Sequence, residues 1–284
     1  MVMKASKFVA WILLAVFALT TPSSVVAAPR KKRDKTSDEK SIVQSDWAGR
    51  KVVFLGDSIT DPRGVSAPNI YWRYLAEMLG FEPFVYGVNG HQWSHLPSQI
   101  ARMKADGVQP DAIIIFAGTN DYNANIPLGE WYTYDKREVN VNGRQVERLH
   151  REFVRDGATF RGRIIRVLES LKTDYPTAQI ILMTPLHRAY ATFGASNVQP
   201  DESYANGLNL FIDDYVEVVR EASSVWSVPV IDLFSDSGLL PTIDSHMQYF
   251  INIKRDRLHP NAKGHQRMAR VIAAQLMALP ASLE

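Results

Sequence analysis

The chain of 284 residues contains no cysteine. That absence excludes a disulfide framework, a thiolate metal site, a cysteine nucleophile and a lipid anchor on a lipobox cysteine. Charge of one sign is scarce as well: 32 lysines and arginines stand against 30 aspartates and glutamates. The electrostatic footprint of a nucleic-acid partner is therefore missing, and no such partner is expected. Hydrophobic residues at 46% and charged residues at 22% are ordinary globular proportions. A normal core can form without a metal or a cross-link to support it.

The N-terminus has the organisation of an export signal. Lys4 and Lys7 precede an apolar run from Phe8 to Thr20. Small residues follow from Ser23 to Ala28, with Val26 and Ala28 at the −3 and −1 positions of a cleavage site. The run is shorter than the roughly 20 residues that span a bilayer, so residues 1–28 read as a signal peptide rather than an uncleaved anchor. The expected location is periplasmic or secreted, with no stable membrane insertion after cleavage. Removing Lys4 and Lys7 with the leader leaves 30 basic against 30 acidic residues. Residues 29–46, with Arg30, Lys31, Lys32 and Arg33, read as a flexible charged linker. The folded domain is expected over 47–284.

Within that domain short apolar runs alternate with helical periodicity. Strands are expected at 51–55, 84–86, 112–117, 179–183 and 228–233, and helices at 71–79, 96–103, 159–171, 204–222 and 261–279. Such alternation implies βαβ units and a parallel sheet buried on both faces. Chemistry is then expected at the carboxyl ends of the strands, just after Leu55, Tyr86, Ala117 and Met183. Two long insertions interrupt the repeat, one over 121–160 and one over 187–203. The first contains Asn142-Gly143 between alternating residues, which predicts a hairpin. Both follow strand ends and are expected to wall the site.

Four segments fall where that architecture wants chemistry. Gly56-Asp57-Ser58-Ile59-Thr60 follows the first strand and can present the Ser58 hydroxyl at the sheet edge. Val88-Asn89-Gly90 follows the second, where glycine allows close approach of a backbone N–H. Gly118-Thr119-Asn120-Asp121 follows the third, and the Asn120 amide can donate to a developing oxyanion. Asp256-Arg257-Leu258-His259-Pro260 places a carboxylate and an imidazole three apart, read as one side of a helical turn, with Pro260 opening the last helix. Asp256 can then hold His259 Nδ1–H and leave Nε2 as a base. Each segment alone has a plainer explanation: a serine in a turn, a turn glycine, a capping asparagine.

Together, in this order, GDSIT, VNG, GTND and DRLHP resemble the blocks of the SGNH hydrolase superfamily, the GDSL-like lipases and acylhydrolases. The resemblance spans Lys51 to about Leu279. It implies a flavodoxin-like three-layer α/β sandwich on a five-stranded parallel sheet, and no metal or organic cofactor. It places Ser58, Asp256 and His259 in the triad, and Ser58, Gly90 and Asn120 in the oxyanion hole, with Gly87 close enough to compete with Gly90 for register. The implied reaction is serine-dependent hydrolysis of a small-molecule or glycan ester, with short acyl esters on carbohydrate first in order. A lysophospholipase or thioesterase, or a non-catalytic carbohydrate-binding protein, are the alternatives. Further substrate contacts are expected from Asp57, His91, Trp93, Trp131 and His187. Asp57 also suits a turn-stabilising role, and both tryptophans suit packing. His91 and His95, four apart without a glutamate, do not make a zinc motif. The sequence leaves the oligomeric state open.

Overall fold

The computed structural model describes residues 45–64 and 67–283. The expected leader and residues 29–44 of the expected linker lie outside the described residues.

The first half of the domain runs β1 (Lys51–Gly56), α1 (Tyr71–Leu79), β2 (Glu82–Val85), α2 (Leu96–Ala105), β3 (Ala112–Phe116), α3 (Thr119–Asn123), β4 (Tyr132–Val141), β5 (Arg144–Phe153) and α4 (Phe160–Asp174). The second half runs β6 (Gln179–Met183), β7 (Ala191–Thr192), β8 (Val198–Gln199), α5 (Ile212–Trp226), β9 (Val230–Ile231), α6 (Leu233–Asp236), β10 (Phe250–Asn252), β11 (Asp256–Pro260) and α7 (Ala262–Leu276). Five parallel strands form the central sheet in the order β2-β1-β3-β6-β9, the flavodoxin-like order. Every residue of β3 and β6 is buried, as continuous apolar runs in a doubly covered sheet require. Ile113 and Ile115 pack on the α2, α4 and α5 side, while Ile114 and Phe116 pack on the α1 and α7 side. This alternation splits the core into two layers and confirms the three-layer sandwich.

Differences from the expected elements have local causes. Helix α5 starts at Ile212 rather than 204. The preceding residues are held as a loop: Asn206 Nδ2 donates to Tyr122 O at 3.1 Å, and Asn209 adopts a positive φ of 58°. Pro260 does not open the last helix, because it pairs with Phe250 at the end of β11. Asn261 caps α7 instead, its Oδ1 accepting from Lys263 N and Gly264 N at 2.9 and 3.2 Å.

The predicted hairpin is present and longer than its signal. β4 and β5 pair over their full ten-residue lengths, and the turn residues Asn142 and Gly143 both take positive φ, 51° and 81°. Its base is fixed by aromatic stacking, Tyr132 on Phe153 at 5.0 Å and Phe153 on Trp226 at 4.8 Å. The second insertion is not an irregular loop. Its strands β7 and β8 join β11 and β10 in a four-stranded sheet of order β10-β11-β7-β8. Ala191 lies opposite Asp256 on one side and Gln199 on the other, so the insertion is registered directly to the DRLHP segment.

Candidate active site

The site forms where β1, β3 and the loop after β2 end, with β11 closing above them. Ser58 sits in a tight turn that begins at Asp57. The Asp57 carbonyl accepts from Thr60 N and Asp61 N at 3.1 and 3.0 Å, and its Oδ1 accepts from Ile59 N at 3.0 Å. Gly56 is required here, since a Cβ would stand 2.5 Å from Phe116 O and 2.6 Å from Thr60 Oγ1. The serine hydroxyl is thereby fixed at the sheet edge.

His259 and Asp256 reach Ser58 from an extended strand, not from the expected helical turn. A bend makes the three-residue spacing work: Asp256 Oδ1 accepts from Leu258 N and His259 N at 3.1 and 3.0 Å. The same carboxylate faces His259 Nδ1, with Oδ2 at 2.9 Å and Oδ1 at 3.2 Å. His259 Nε2 then lies 2.8 Å from Ser58 Oγ. All three side chains are nearly enclosed, at 5% exposure for Ser58 and His259 and 8% for Asp256. Because Asp256 can only accept when ionised, Nδ1 carries the proton and Nε2 offers a lone pair to the serine hydroxyl.

Hydrogen-bond donors surround Ser58. Among the described residues neither the Ser58 N–H nor the Gly90 N–H has a protein acceptor. Ser58 is buried whereas Gly90 is exposed, and a backbone N–H without a protein acceptor at the cavity wall suits an incoming anion. Asn120 Nδ2 donates to His91 O at 3.0 Å and stands 3.5 Å from Asp57 Oδ2, too far for a strong bond. One amide hydrogen thus anchors Asn120 and the other is weakly engaged. Gly90 takes a φ of 77° with open space around it, whereas a Cβ at Gly87 would meet Thr60 at 2.8 Å. Gly87 therefore serves close packing, and Gly90 is the glycine at the site.

Ser58, Gly90, Asn120 and His259 line a cavity of about 180 Å³ together with Asn89, Phe193, Asn197, Gln199 and Leu258. Phe193 sets its ring edge-on to His259 at 5.5 Å. Three wall residues thus come from the second insertion. The first insertion contributes none, contrary to expectation, because its hairpin packs on α5 rather than over the strand ends.

The other expected contacts divide. Trp93 is fully buried, its indole donating to Ala117 O at 3.2 Å, and it is a core residue. Trp131 is likewise packed away, donating to Glu221 at 2.7 Å. His187 pairs with Glu202 at 2.8 Å and stacks on Phe234, outside the cavity lining. Asp57 lies behind the serine in its turn; burial pushes its carboxyl up to about 6. His91 stays beside Gly90, its ring tilted against that of His95 at 4.7 Å, and reaches the site through its carbonyl. Burial, then the neighbouring His95, depress its imidazole below the usual value. Among the described residues no group of three metal-ligating side chains converges.

Several positioning residues carried weak sequence signals. Gln99, fully buried on α2, bonds both backbone groups of Gly56 at 3.0 and 2.7 Å and reaches His91 Nδ1 at 3.0 Å. It ties the serine strand to the loop that carries Gly90 and His91. Its one signal is a polar residue on the apolar face of a predicted helix. Asp61, also fully buried, accepts from Asn89 N at 2.8 Å and so links the Ser58 turn to the same loop. Asp121 holds Trp93 N and Arg163 at 3.1 and 2.8 Å, and burial pushes its carboxyl up to about 6.

Residues 54–267 match the model of the GDSL-like Lipase/Acylhydrolase family, well over half of the chain, and the chain belongs to this family. It is similar to a protein from Lactobacillus plantarum, at 25% identity and a TM-score of 0.62, covering 81% of this chain and 98% of that one. It also resembles a possible lipase from Chitinophaga pinensis, at 19% identity and a TM-score of 0.64, covering 83% of this chain and 100% of that one. The second likeness is one of fold. No curated protein matches the sequence. Fold and family together define a hydrolase of the ester-cleaving GDSL-like class.

Proposed function

We propose that the chain is an exported serine esterase that removes short acyl groups, those on carbohydrate foremost. The observation that carries this reading is the contact of Ser58 Oγ with His259 Nε2 at 2.8 Å, beside two backbone N–H groups that lack acceptors among the described residues. His259 Nε2 takes the hydroxyl proton as Ser58 Oγ bonds to the ester carbonyl carbon. The carbonyl oxygen becomes an oxyanion held by Ser58 N–H, Gly90 N–H and the Asn120 amide. Its collapse breaks the bond to the alcohol, which leaves with the proton from His259. Water, deprotonated by the same nitrogen, then releases the acid and restores Ser58. Asp256 holds the imidazole in the tautomer this requires and stabilises it when charged.

Cavity size and chemistry support the substrate class. A volume of about 180 Å³ is small beside the roughly 300–1,000 Å³ of sites that take drug-sized ligands, which favours an acetyl-sized acyl group. The carboxamides of Asn89, Asn120, Asn197 and Gln199 suit a hydroxyl-rich alcohol, and exposed Phe193 offers a face for the apolar side of a sugar ring.

The test compares 4-nitrophenyl acetate with 4-nitrophenyl octanoate, using the chain from residue 29 and its Ser58→Ala variant. Turnover of acetate well above octanoate, abolished in the variant, is the expected result. Preference for octanoate would move the assignment to lipid or thioester substrates. Equal inertness of both proteins, together with no labelling of Ser58 by a fluorophosphonate, would overturn catalysis altogether.

A further inference from the structure

Arg188 is fully buried in the segment between β6 and β7, and among the described residues no carboxylate touches its guanidinium. Its partners are neutral: NH1 donates to Thr119 Oγ1 at 3.0 Å and Asn123 Oδ1 at 2.7 Å, and NH2 donates to Gln199 Oε1 at 2.7 Å. Among the described residues its Nε has no partner. Glu202 lies nearby, but it accepts from Arg188 backbone N and from His187. A buried cation without a bonded counter-ion is costly to keep, so what it organises is informative.

What it organises is a direction. Arginine can only donate. Asn123 must therefore turn its oxygen to Arg188, which leaves its Nδ2 to donate to Gln199 Oε1 at 2.8 Å. Gln199 Oε1 now accepts two bonds, so its Nε2 faces away and donates to Asn197 Oδ1 at 2.9 Å. Asn197 in turn has its oxygen occupied, and among the described residues neither hydrogen of its Nδ2 has a protein acceptor. Both Gln199 and Asn197 line the cavity, and no carboxylate does. A relay that starts at a group unable to accept ends as a wall that presents N–H donors.

We propose that Arg188 sets this wall to recognise an anionic acceptor, and that the alcohol half of the substrate is an acidic sugar whose carboxylate meets Asn197 and Gln199. This rests on the ester-hydrolase reading and narrows its substrate. Asn197 and Gln199 are specificity-determining contacts, and Arg188 is a positioning residue that acts through them. The buried positive charge behind the wall adds attraction that a neutral sugar does not gain.

The test is the ratio of kcat/KM for an O-acetylated methyl glucuronopyranoside to that for the matching acetylated methyl glucopyranoside. The wild-type ratio is expected to exceed about tenfold. Asn197→Asp and Gln199→Glu each replace a donor by a negative acceptor, and each should bring the ratio to one or below. Asn197 is exposed, so its variant keeps the fold. Arg188→Lys, still a pure donor, should hold the preference better than Arg188→Gln, whose amide can accept and so releases the relay. A wild-type ratio near one, no turnover of either sugar, or a ratio unmoved by both wall variants would overturn the inference. Hydrolysis of 4-nitrophenyl acetate separates the two levels: if it persists while the ratio is one, the wall proposal alone falls. If wild type is inert on that ester too and a fluorophosphonate does not label Ser58, both fall.

Discussion

His259 Nε2 stands 2.8 Å from Ser58 Oγ although 201 positions separate the two residues. The pair is only as useful as the tautomer that Asp256 imposes. Asp256→Asn keeps an oxygen for the N–H groups of Leu258 and His259, so the bend of β11 should survive. Its amide, however, donates toward Nδ1 and moves the imidazole proton to Nε2, against the serine. The expected outcome is a folded protein with kcat for 4-nitrophenyl acetate lower by about 10³–10⁴, measured beside circular dichroism. Activity within about tenfold of wild type would deny Asp256 this role.

Asn120 is anchored by one amide hydrogen on His91 O and offers the other. Asn120→Ala should lower kcat by about 10²–10³ while KM moves little, since the oxyanion exists only beyond the ground state. A rise in KM at constant kcat would instead make Asn120 a substrate-binding residue.

Asp57 stabilises the serine turn at an energetic cost. Its carboxyl binds its proton up to about pH 6 in the folded chain and up to about 3.8 in the unfolded one. The folded state therefore holds more protons between those values, and stability falls as pH rises through that window. Asp57→Asn, an isostere without charge, should be more stable than wild type at pH 8 by as much as about 3 kcal/mol, with the gap closing near pH 3. Urea denaturation at the two pH values checks this. A gap of the same size at both would mean that burial of the charge is not the cause.

His265 acts in the opposite sense. Burial first, then the charge of His259, bring its imidazole from 6.5 down to about 3. Below pH 6.5 the unfolded chain takes up a proton that the folded chain refuses, so stability is lost on acidification. For His265→Gln the stability difference from wild type should shift in the variant's favour by up to about 2.7 kcal/mol between pH 7 and 4.5. Parallel denaturation curves at both pH values would refute it.

The β4–β5 hairpin lines no part of the cavity. Replacing residues 136–149 by a short Asn-Gly turn should leave kcat/KM for 4-nitrophenyl acetate within about threefold of wild type, since the base stack of Tyr132, Phe153 and Trp226 is retained. A larger loss would mean that the ribbon reaches the substrate.

The sequence alone determined the central architecture. Buried parallel strands must be continuous apolar runs, and AIIIF and QIILM could be little else. It also placed Ser58, Gly90, Asn120, Asp256 and His259 at strand ends or before the last helix, because each sits in a short segment whose glycine, proline or polar spacing is locally constrained. The hairpin turn was legible for the same reason, since Asn142-Gly143 satisfies two positive φ angles. Tertiary structure decided what depends on partners distant in the chain. Whether DRLHP is a helical turn or a strand was settled by Ala191 and Phe250 pairing across it. Which insertion walls the cavity was settled by the same pairing, which draws Phe193, Asn197 and Gln199 to His259 and leaves Trp93 and Trp131 in the packing. Gln99 and Arg188 were not legible as organising residues, because a polar side chain gains that role only when folding removes water and leaves it specific backbone and amide groups to bond.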